Sequence, residues 1–292
     1  IIMSYKSIFN KESFSKKNIV VTGGGSGIGR CMAHELSSLG SDIILVGRNK
    51  EKLETVQKEI KSSNGNASFY VCDIREEDKV RQCTKEIYEE FNIIHGLVNN
   101  AGGQFPSPAE YISQKGFETV VRTNLVGGFL FSREVFSQGM INSGGNIVNI
   151  TADMWNGMPG MSHSGAARSG MDNLTKTLAY EWGYAGLRVN SVAPGYIASS
   201  GLDTYDDSII KEIIPKLKKT VPLKRMGTEA EVSAAVCFLL SDAAAYINGV
   251  CIRVDGGSPL GSGAWPLKET KKYKSFDGFH LSKLPDVLDG KL

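Results

Sequence analysis

The sequence predicts a doubly wound α/β fold, with a seven-stranded parallel sheet covered by helices on both faces. Three observations carry that expectation. Short, almost unbroken runs of β-branched and other apolar residues recur along the chain, as strands buried on both faces require. Helix-length stretches separate them, so each strand returns to the sheet by a crossover and not by a hairpin. The first apolar run opens directly into Thr22-Gly23-Gly24-Gly25-Ser26-Gly27-Ile28-Gly29, after which Met32, Leu36 and Leu39 mark one side of an amphipathic helix.

In chain order, Ile19-Val20-Val21 is the first strand and Asp42 to Val46 the second, followed by a helix over Lys50 to Lys61. Ser68 to Cys72 is the third, leading to a charged helix from Glu76 to about Phe91. His95 to Asn99 is the fourth, and two helices are expected across Pro108 to Met140. Asn146 to Thr151 is the fifth, before a long helix from Met161 to Tyr184. Leu187 to Val192 and Val250 to Val254 complete the seven. No repeat or low-complexity linker breaks the alternation, so residues 1–257 read as one unit. The tail, 258–292, is rich in Gly, Pro and Lys and carries Trp265, Tyr273, Phe276 and Phe279. It is expected to be disordered, or pinned by those rings to the surface or to a neighbouring subunit.

With 41% hydrophobic and 22% charged residues, the composition fits a soluble globular protein whose 292 residues can bury a sizeable core. A formal net charge of +2 makes no electrostatic case for nucleic acid or an anionic membrane. No apolar run is long enough to span a bilayer, and no three-part signal peptide is present. Cys31, Cys72, Cys83, Cys237 and Cys251 are odd in number and lack metal-site spacing, so reduced thiols, a cytoplasmic location and no metal are expected.

Strand, glycine turn and helix present free N–H groups and a helix N-terminus to a phosphate, and glycine lets a diphosphate approach closely. In an open α/β sheet the ligand lies beyond the carboxyl ends of the strands. Strand two ends at Gly47-Arg48-Asn49, where an acidic residue would accept from the ribose 2′-OH of NAD. Arg48 in its place favours NADP(H) over NAD(H), although a solvated arginine before a helix accounts for it too. Strand three ends at Asp73, whose carboxylate is expected to accept from the adenine amino group. Strand four ends in Asn99-Asn100-Ala101-Gly102-Gly103, small residues beside the ribose.

Thr22-Gly23-x-x-x-Gly27-x-Gly29 (with Ser26 and Ile28 inside it), Asn99-Asn100-Ala101-Gly102, Asn124 in VRTNL and Pro194-Gly195 together resemble the short-chain dehydrogenase/reductase family over residues 18 to 257. The resemblance implies a Rossmann-type fold, a nicotinamide cofactor, and homodimers or homotetramers. It implies that Asn100 lies near the ribose and that Asn124 holds a water or a helix carbonyl beside the active site. It also implies that Ile197 and Ser199, in PGYIAS, touch the nicotinamide carboxamide.

The family normally carries a serine at the end of strand five and a Tyr-x-x-x-Lys on the next helix. Here the stretch reads ITADMWNGMPGMSHSGAARSGMDNLTK. Aligned through GAARSGM, it sets Ser164 and Arg168 at the tyrosine and lysine positions, and Ala152 at the serine position with Thr151 and Asp153 beside it. Residues 164, 168, 172 and 176 form one helical stripe. Ser164 and Arg168 are expected to face the cofactor, while Asp172 and Lys176 read as an ordinary helical ion pair. His163, a replacement acid in the alternative, reads as a solvated or capping residue.

GGQFPSPAEYISQKG with HSGAAR resembles the peroxisomal trans-2-enoyl-CoA reductase branch, whereas AWPL, FDGFH and LPD in the tail resemble bacterial dehydrogenases of acyclic terpene (citronellol and citronellal) catabolism. Three functions follow. The first is reduction of a conjugated C=C in an enoyl-CoA-type substrate, for which Arg168 and the Ser164 hydroxyl supply positioned donors. The second is a terpenoid alcohol dehydrogenase, which needs Asp153 or His163 as base. The third is a catalytically inactive nucleotide-binding module. A lid is expected between Ser200 and Pro222, its helix pairing Ile209, Ile210, Ile213, Ile214 and Leu217 with Lys211, Lys216, Lys218 and Lys219. Met154, Met158 and Met161 read as a pliable pocket lining or as simple packing.

Overall fold

The computed structural model describes residues 4–204, 216, 219–260, 266–270, 272, 274–285 and 288. Seven parallel strands form the sheet in the order β3-β2-β1-β4-β5-β6-β9. They are β1 (Asn18–Thr22), β2 (Asp42–Gly47), β3 (Ala67–Val71), β4 (Gly96–Asn99), β5 (Gly145–Ile150), β6 (Leu187–Pro194) and β9 (Cys251–Val254). Two short strands, β7 (Ile197–Ala198) and β8 (Gly227–Thr228), pair beyond the carboxyl end of β6. The expected Rossmann-type architecture is therefore present, with each strand within a few residues of its expected position. β1 pairs β2 on one side and β4 on the other, so the strand order reverses between β1 and β4. That reversal opens a crevice above their carboxyl ends.

Alternation along the strands shows why both faces are covered. Ile19 and Val21 of β1 and Ile43 and Leu45 of β2 enter one core, while Val20, Ile44 and Val46 enter the other. On the first face lie α1 (Gly27–Ser38) and α2 (Lys50–Ser62), contributing Met32, Leu36, Leu53 and Ile60. The second face carries α3 (Glu77–Phe91) and the run of α4 (Gln114–Val121), α5 (Gly127–Val135) and α6 (Ile141–Ser143). The expected pair of helices over 108–140 is one rod from Gln114 to Ser143, in which π turns at Arg122–Val126 and Phe136–Met140 join the segments. α7 (Ser162–Trp182) completes this face, where Trp182 stacks on Phe136 at 4.2 Å.

α8 (Glu229–Leu240) joins the first face, packed on α1. No reading of the sequence singled it out, because AEVSAAVCFLL is apolar around most of its circumference and shows no period. Thr228 and Glu231 close its amino end as a capping box, each side chain bonding the other's backbone N–H.

Parts of the tail lie against the body. Phe279 packs with Tyr5, Cys31 and Ala230, Lys6 N–H donates to Gly278 O, and Leu288 meets Ala198 and Met226. Trp265 and Tyr273, and Ile209, Ile210, Lys211, Ile213, Ile214, Leu217 and Lys218 of the expected lid helix, lie outside the described residues. The five cysteines are free thiols, four of them buried. Among the described residues no helix is long and apolar enough to cross a membrane.

Candidate active site

The glycine turn between β1 and α1 is held by the protein's own polar groups. Thr22 Oγ1 donates to Val98 O at 3.2 Å and accepts the N–H groups of Asn100 and Ala101 at 3.0 and 3.1 Å. Asn100 Nδ2 donates to Thr22 O at 3.1 Å and to Gly23 O at 3.3 Å. Asn100 is thus turned onto the glycine turn, which it braces; the carried-over role beside the ribose involves a side chain already engaged.

Packing also revises the reason for some glycines. Gly23 takes φ +67°, and a Cβ there would lie 2.9 Å from Ala101 Cα. A Cβ on Gly29 would collide with Gly23 O and with the Asn100 amide. These two are required by the fold itself, before any ligand approaches. Gly27 differs: a Cβ there would meet only Ser200 Oγ at 3.7 Å and Glu229 Oε1 at 3.8 Å, ordinary contacts, so its φ of +55° and not crowding is what favours glycine. Ser26 precedes α1 in extended conformation with no side-chain cap, and no acidic residue occupies the first turn. Uncapped N–H groups at the amino end of α1, reached through a glycine turn, fit an anionic diphosphate.

Farther along the strand ends, Arg48 is exposed, and Asn49 next to it caps α2 by accepting from Lys52 N–H at 2.8 Å. Asp73 is engaged by Arg75 through Nε at 2.9 Å and Nη2 at 2.5 Å, and those bonds hold its carboxyl down at about 2 against burial. The carboxylate expected at the adenine is therefore already a partner of a guanidinium. Gly195 fits under Asp255, where a Cβ would stand 2.7 Å from Cα, and Pro194 O accepts Asp153 N–H at 3.0 Å. Ile197 is buried in β7, and Ser199 follows at its end.

On the other side of the crevice, the loop after β4, the first π turn and the start of α7 converge. Asn124 sits in that π turn, buried, and its Oδ1 accepts Gly103 N–H at 2.9 Å. A Cβ on Gly102 would stand 2.5 Å from Arg168 Nη2 and 3.0 Å from Asn124 Oδ1. Arg168 Nη1 donates to Ile150 O at 2.6 Å. Its Nε is sealed from solvent without a hydrogen-bond partner, and no described carboxylate pairs with it. Burial alone lowers this guanidinium to about 10. Asn124 Nδ2 is likewise buried and unpartnered.

Ser164 is fully buried, and its hydroxyl donates to Gln104 Oε1 at 2.6 Å. The expected free hydroxyl donor is therefore committed to an amide that sequence reasoning passed over; its only signal was its place, directly after the small residues that end β4. His163 is also fully buried, which corrects the expectation of a solvated residue. Its Nδ1 accepts Ser164 N–H at 2.8 Å, so it does serve a first-turn N–H; Nε2 is buried without a partner, and Phe105 stands edge-on at 4.4 Å. Asp172 pairs with Lys176 at 2.7 Å, as the helical spacing suggested.

Asp153, three residues past the end of β5, is half-buried. Burial pushes its carboxyl up; Ser258 and Arg253 draw it down, and Asp255 adds to the rise. Tyr196 stands beside it, its phenol raised by burial and by Asp153 and drawn down by the same Ser258.

Residues 23–258 match the family described as Enoyl-(Acyl carrier protein) reductase. A probable 2,4-dienoyl-CoA reductase [(2E)-enoyl-CoA-producing] of Bacillus subtilis is 38% identical over 249 residues, which are 84% of this chain and 97% of that protein. Among solved structures, a citronellol catabolism dehydrogenase (AtuB) of Pseudomonas aeruginosa is 57% identical with a TM-score of 0.79, covering 87% of this chain and 99% of that one. A structure described as a putative NAD(P)-dependent gluconate 5-dehydrogenase of Beutenbergia cavernae, with NADP bound at low occupancy, is 29% identical with a TM-score of 0.79, covering 85% of this chain and 99% of that one.

Proposed function

The chain belongs to the short-chain dehydrogenase/reductase family of oxidoreductases, and from that premise we propose that it reduces the conjugated C=C of an acyl-CoA-type thioester with NADP(H). In this reading residues 1–257 form one dinucleotide-binding unit in the cytoplasm, assembled as a homodimer or homotetramer, and 258–292 pack on it or on a neighbouring subunit. Ser164 and Arg168 stand where the family's usual tyrosine and lysine would. The cofactor seat comprises Thr22, Gly23, Ser26, Gly27, Ile28, Gly29, Asp73, Asn100, Ala101, Gly102, Pro194, Gly195, Ile197 and Ser199, and Arg48 meets a ribose 2′-phosphate.

The carrying observation is Arg168: a half-buried side chain whose Nε is sealed from solvent without a partner and which has no described carboxylate partner. A buried cation without a counter-ion costs several kcal/mol, on the order of 3–5 where a partner has been removed. In this reading it meets a negative charge formed during turnover. A bound nicotinamide would supply a hydride to the β-carbon; the displaced charge would collect on the thioester oxygen as an enolate, whose return to the carbonyl would place a proton from water on the α-carbon. Arg168 stabilises the developing oxyanion, as preorganised donors do. Asn124, with Nδ2 unpartnered, adds a second donor. Ser164 holds Gln104 in place and so shapes the wall.

A second reading, a terpenoid alcohol dehydrogenase, is favoured by the raised carboxyl of Asp153 and by the 57% identity to a citronellol catabolism dehydrogenase. Alcohol oxidation needs a base that titrates near the working pH, and neither arginine nor serine is one. The test is nicotinamide absorbance with NADPH and crotonyl-CoA or a 2,4-dienoyl-CoA, set against NADP and NAD with citronellol. Turnover of the thioesters alone supports the first reading; turnover of citronellol alone overturns it.

A further inference from the structure

α8 begins with Glu229, and that side chain lies between two parts of the candidate dinucleotide seat. Its Oε1 would be 3.8 Å from a Cβ on Gly27, which places the carboxylate against the turn, and it accepts the backbone N–H of Ser200, just past Ser199. The groups facing it come from three elements. Arg30 and Cys31 approach from α1 and Asp277 from the tail, while Ser200 donates its N–H. Arg30 gives little compensation, because Glu59 already holds it through Nε and Nη2 at 2.8 Å each. Burial pushes the carboxyl up to about 7, Arg30 draws it down, Asp277 raises it, and the Ser200 N–H lowers it.

We propose that Glu229 is a proton-coupled contact of the dinucleotide diphosphate: neutral, it shares the turn with the anion, and ionised, it opposes it. The proposal rests on the reading of the amino end of α1 as the diphosphate seat. Two anions a few ångströms apart in a half-buried site cannot both stay charged without cost, so the weaker acid takes up a proton. By linkage, anything that raises the carboxyl further binds more tightly at low pH. Affinity is then full below the free-protein value and falls as the pH rises through neutrality.

Titration calorimetry with NADPH and with NADH, in two buffers of different ionisation enthalpy, tests this between about pH 6 and pH 8.5. The wild type is expected to take up a proton on binding near pH 7.5, and its Kd to weaken about three- to tenfold across the range. Glu229→Gln is expected to bind as the wild type does at low pH, with no such uptake and a flatter profile. Comparison of the two chains cancels the titration of the cofactor's own 2′-phosphate. Binding with no proton uptake, or equal slopes in both chains, overturns the role of Glu229 and leaves the seat intact. Absence of binding by either dinucleotide to folded wild type overturns the seat and the proposal together. Should Glu229→Gln fail to fold, the two-buffer measurement on the wild type decides alone.

Discussion

The two sides of the crevice differ in how completely their polar groups are satisfied. Around the glycine turn, Thr22 and Asn100 place every hydrogen bond on neighbouring backbone, and Gly23 and Gly29 are set by contact with the loop after β4. Around α7, Asn124 Nδ2, His163 Nε2 and Arg168 Nε are sealed from water without partners. Buried polar side chains are normally paired, so the scaffold of the first region is complete and leaves only the N–H groups at the start of α1 for a ligand, whereas the second leaves buried side-chain donors waiting for one. A cofactor that returns in the same form each cycle suits a rigid, self-satisfied cradle. A charge that exists only during turnover suits donors whose partner is absent at rest.

The largest expected effect breaks the unfinished side. Arg168→Ala should lower kcat on the preferred acceptor by about a hundredfold or more, the scale of one lost oxyanion donor, while dinucleotide Kd stays nearly unchanged. Equal turnover in steady-state assays would remove Arg168 from the chemistry and the contrast with it. Next, Gly29→Ala breaks the finished side. Its Cβ meets Gly23 O and Asn100, a backbone collision that should cost about 1–3 kcal/mol in denaturant unfolding and weaken both dinucleotides. A variant as stable as the wild type would mean that the turn is looser than its hydrogen bonds imply.

Arg48→Ala sharpens the comparison by asking what the seat selects. It should weaken NADPH about tenfold and leave NADH unmoved; equal losses would assign Arg48 to the start of α2 alone. The smallest effect lies away from both sides, at Glu59. Burial would raise this carboxyl, but hydrogen bonds from His34 and Arg30 override it and hold it at about 2. A depressed carboxyl stabilises the fold above its unfolded value and loses that contribution as pH falls through the folded one, here from about 4.5 to about 2. Partial exposure reduces the contribution to about 1 kcal/mol. Glu59→Gln should therefore lower Tm at neutral pH and converge on the wild type in acid.

Much of this was legible along the chain. Ile19 to Val21, Ile43 to Val46 and Ile147 to Thr151 are buried, and burial on both faces dictates the composition of such strands, so each came out in place. The ion pair of Asp172 with Lys176 followed from helical spacing. α8 was not legible, since a helix buried on nearly all sides loses the period that marks an amphipathic one. Gln104 under Ser164, Glu229 beside Gly27 and Arg75 on Asp73 were not legible either, because each pairing depends on the orientation of a loop.

By itself the sequence determined the alternation of strands and helices, the glycine turn and the unusual Ser164 and Arg168, since these depend on local patterns of apolarity, size and charge. Only the tertiary structure decided which of those polar atoms are satisfied. Hydrogen-bond partners here come from residues distant in sequence, such as Thr22 with Val98 or Ser164 with Gln104, and desolvation is a property of the whole packed assembly. The isolation of the Arg168 guanidinium is therefore visible only once the chain has closed around it.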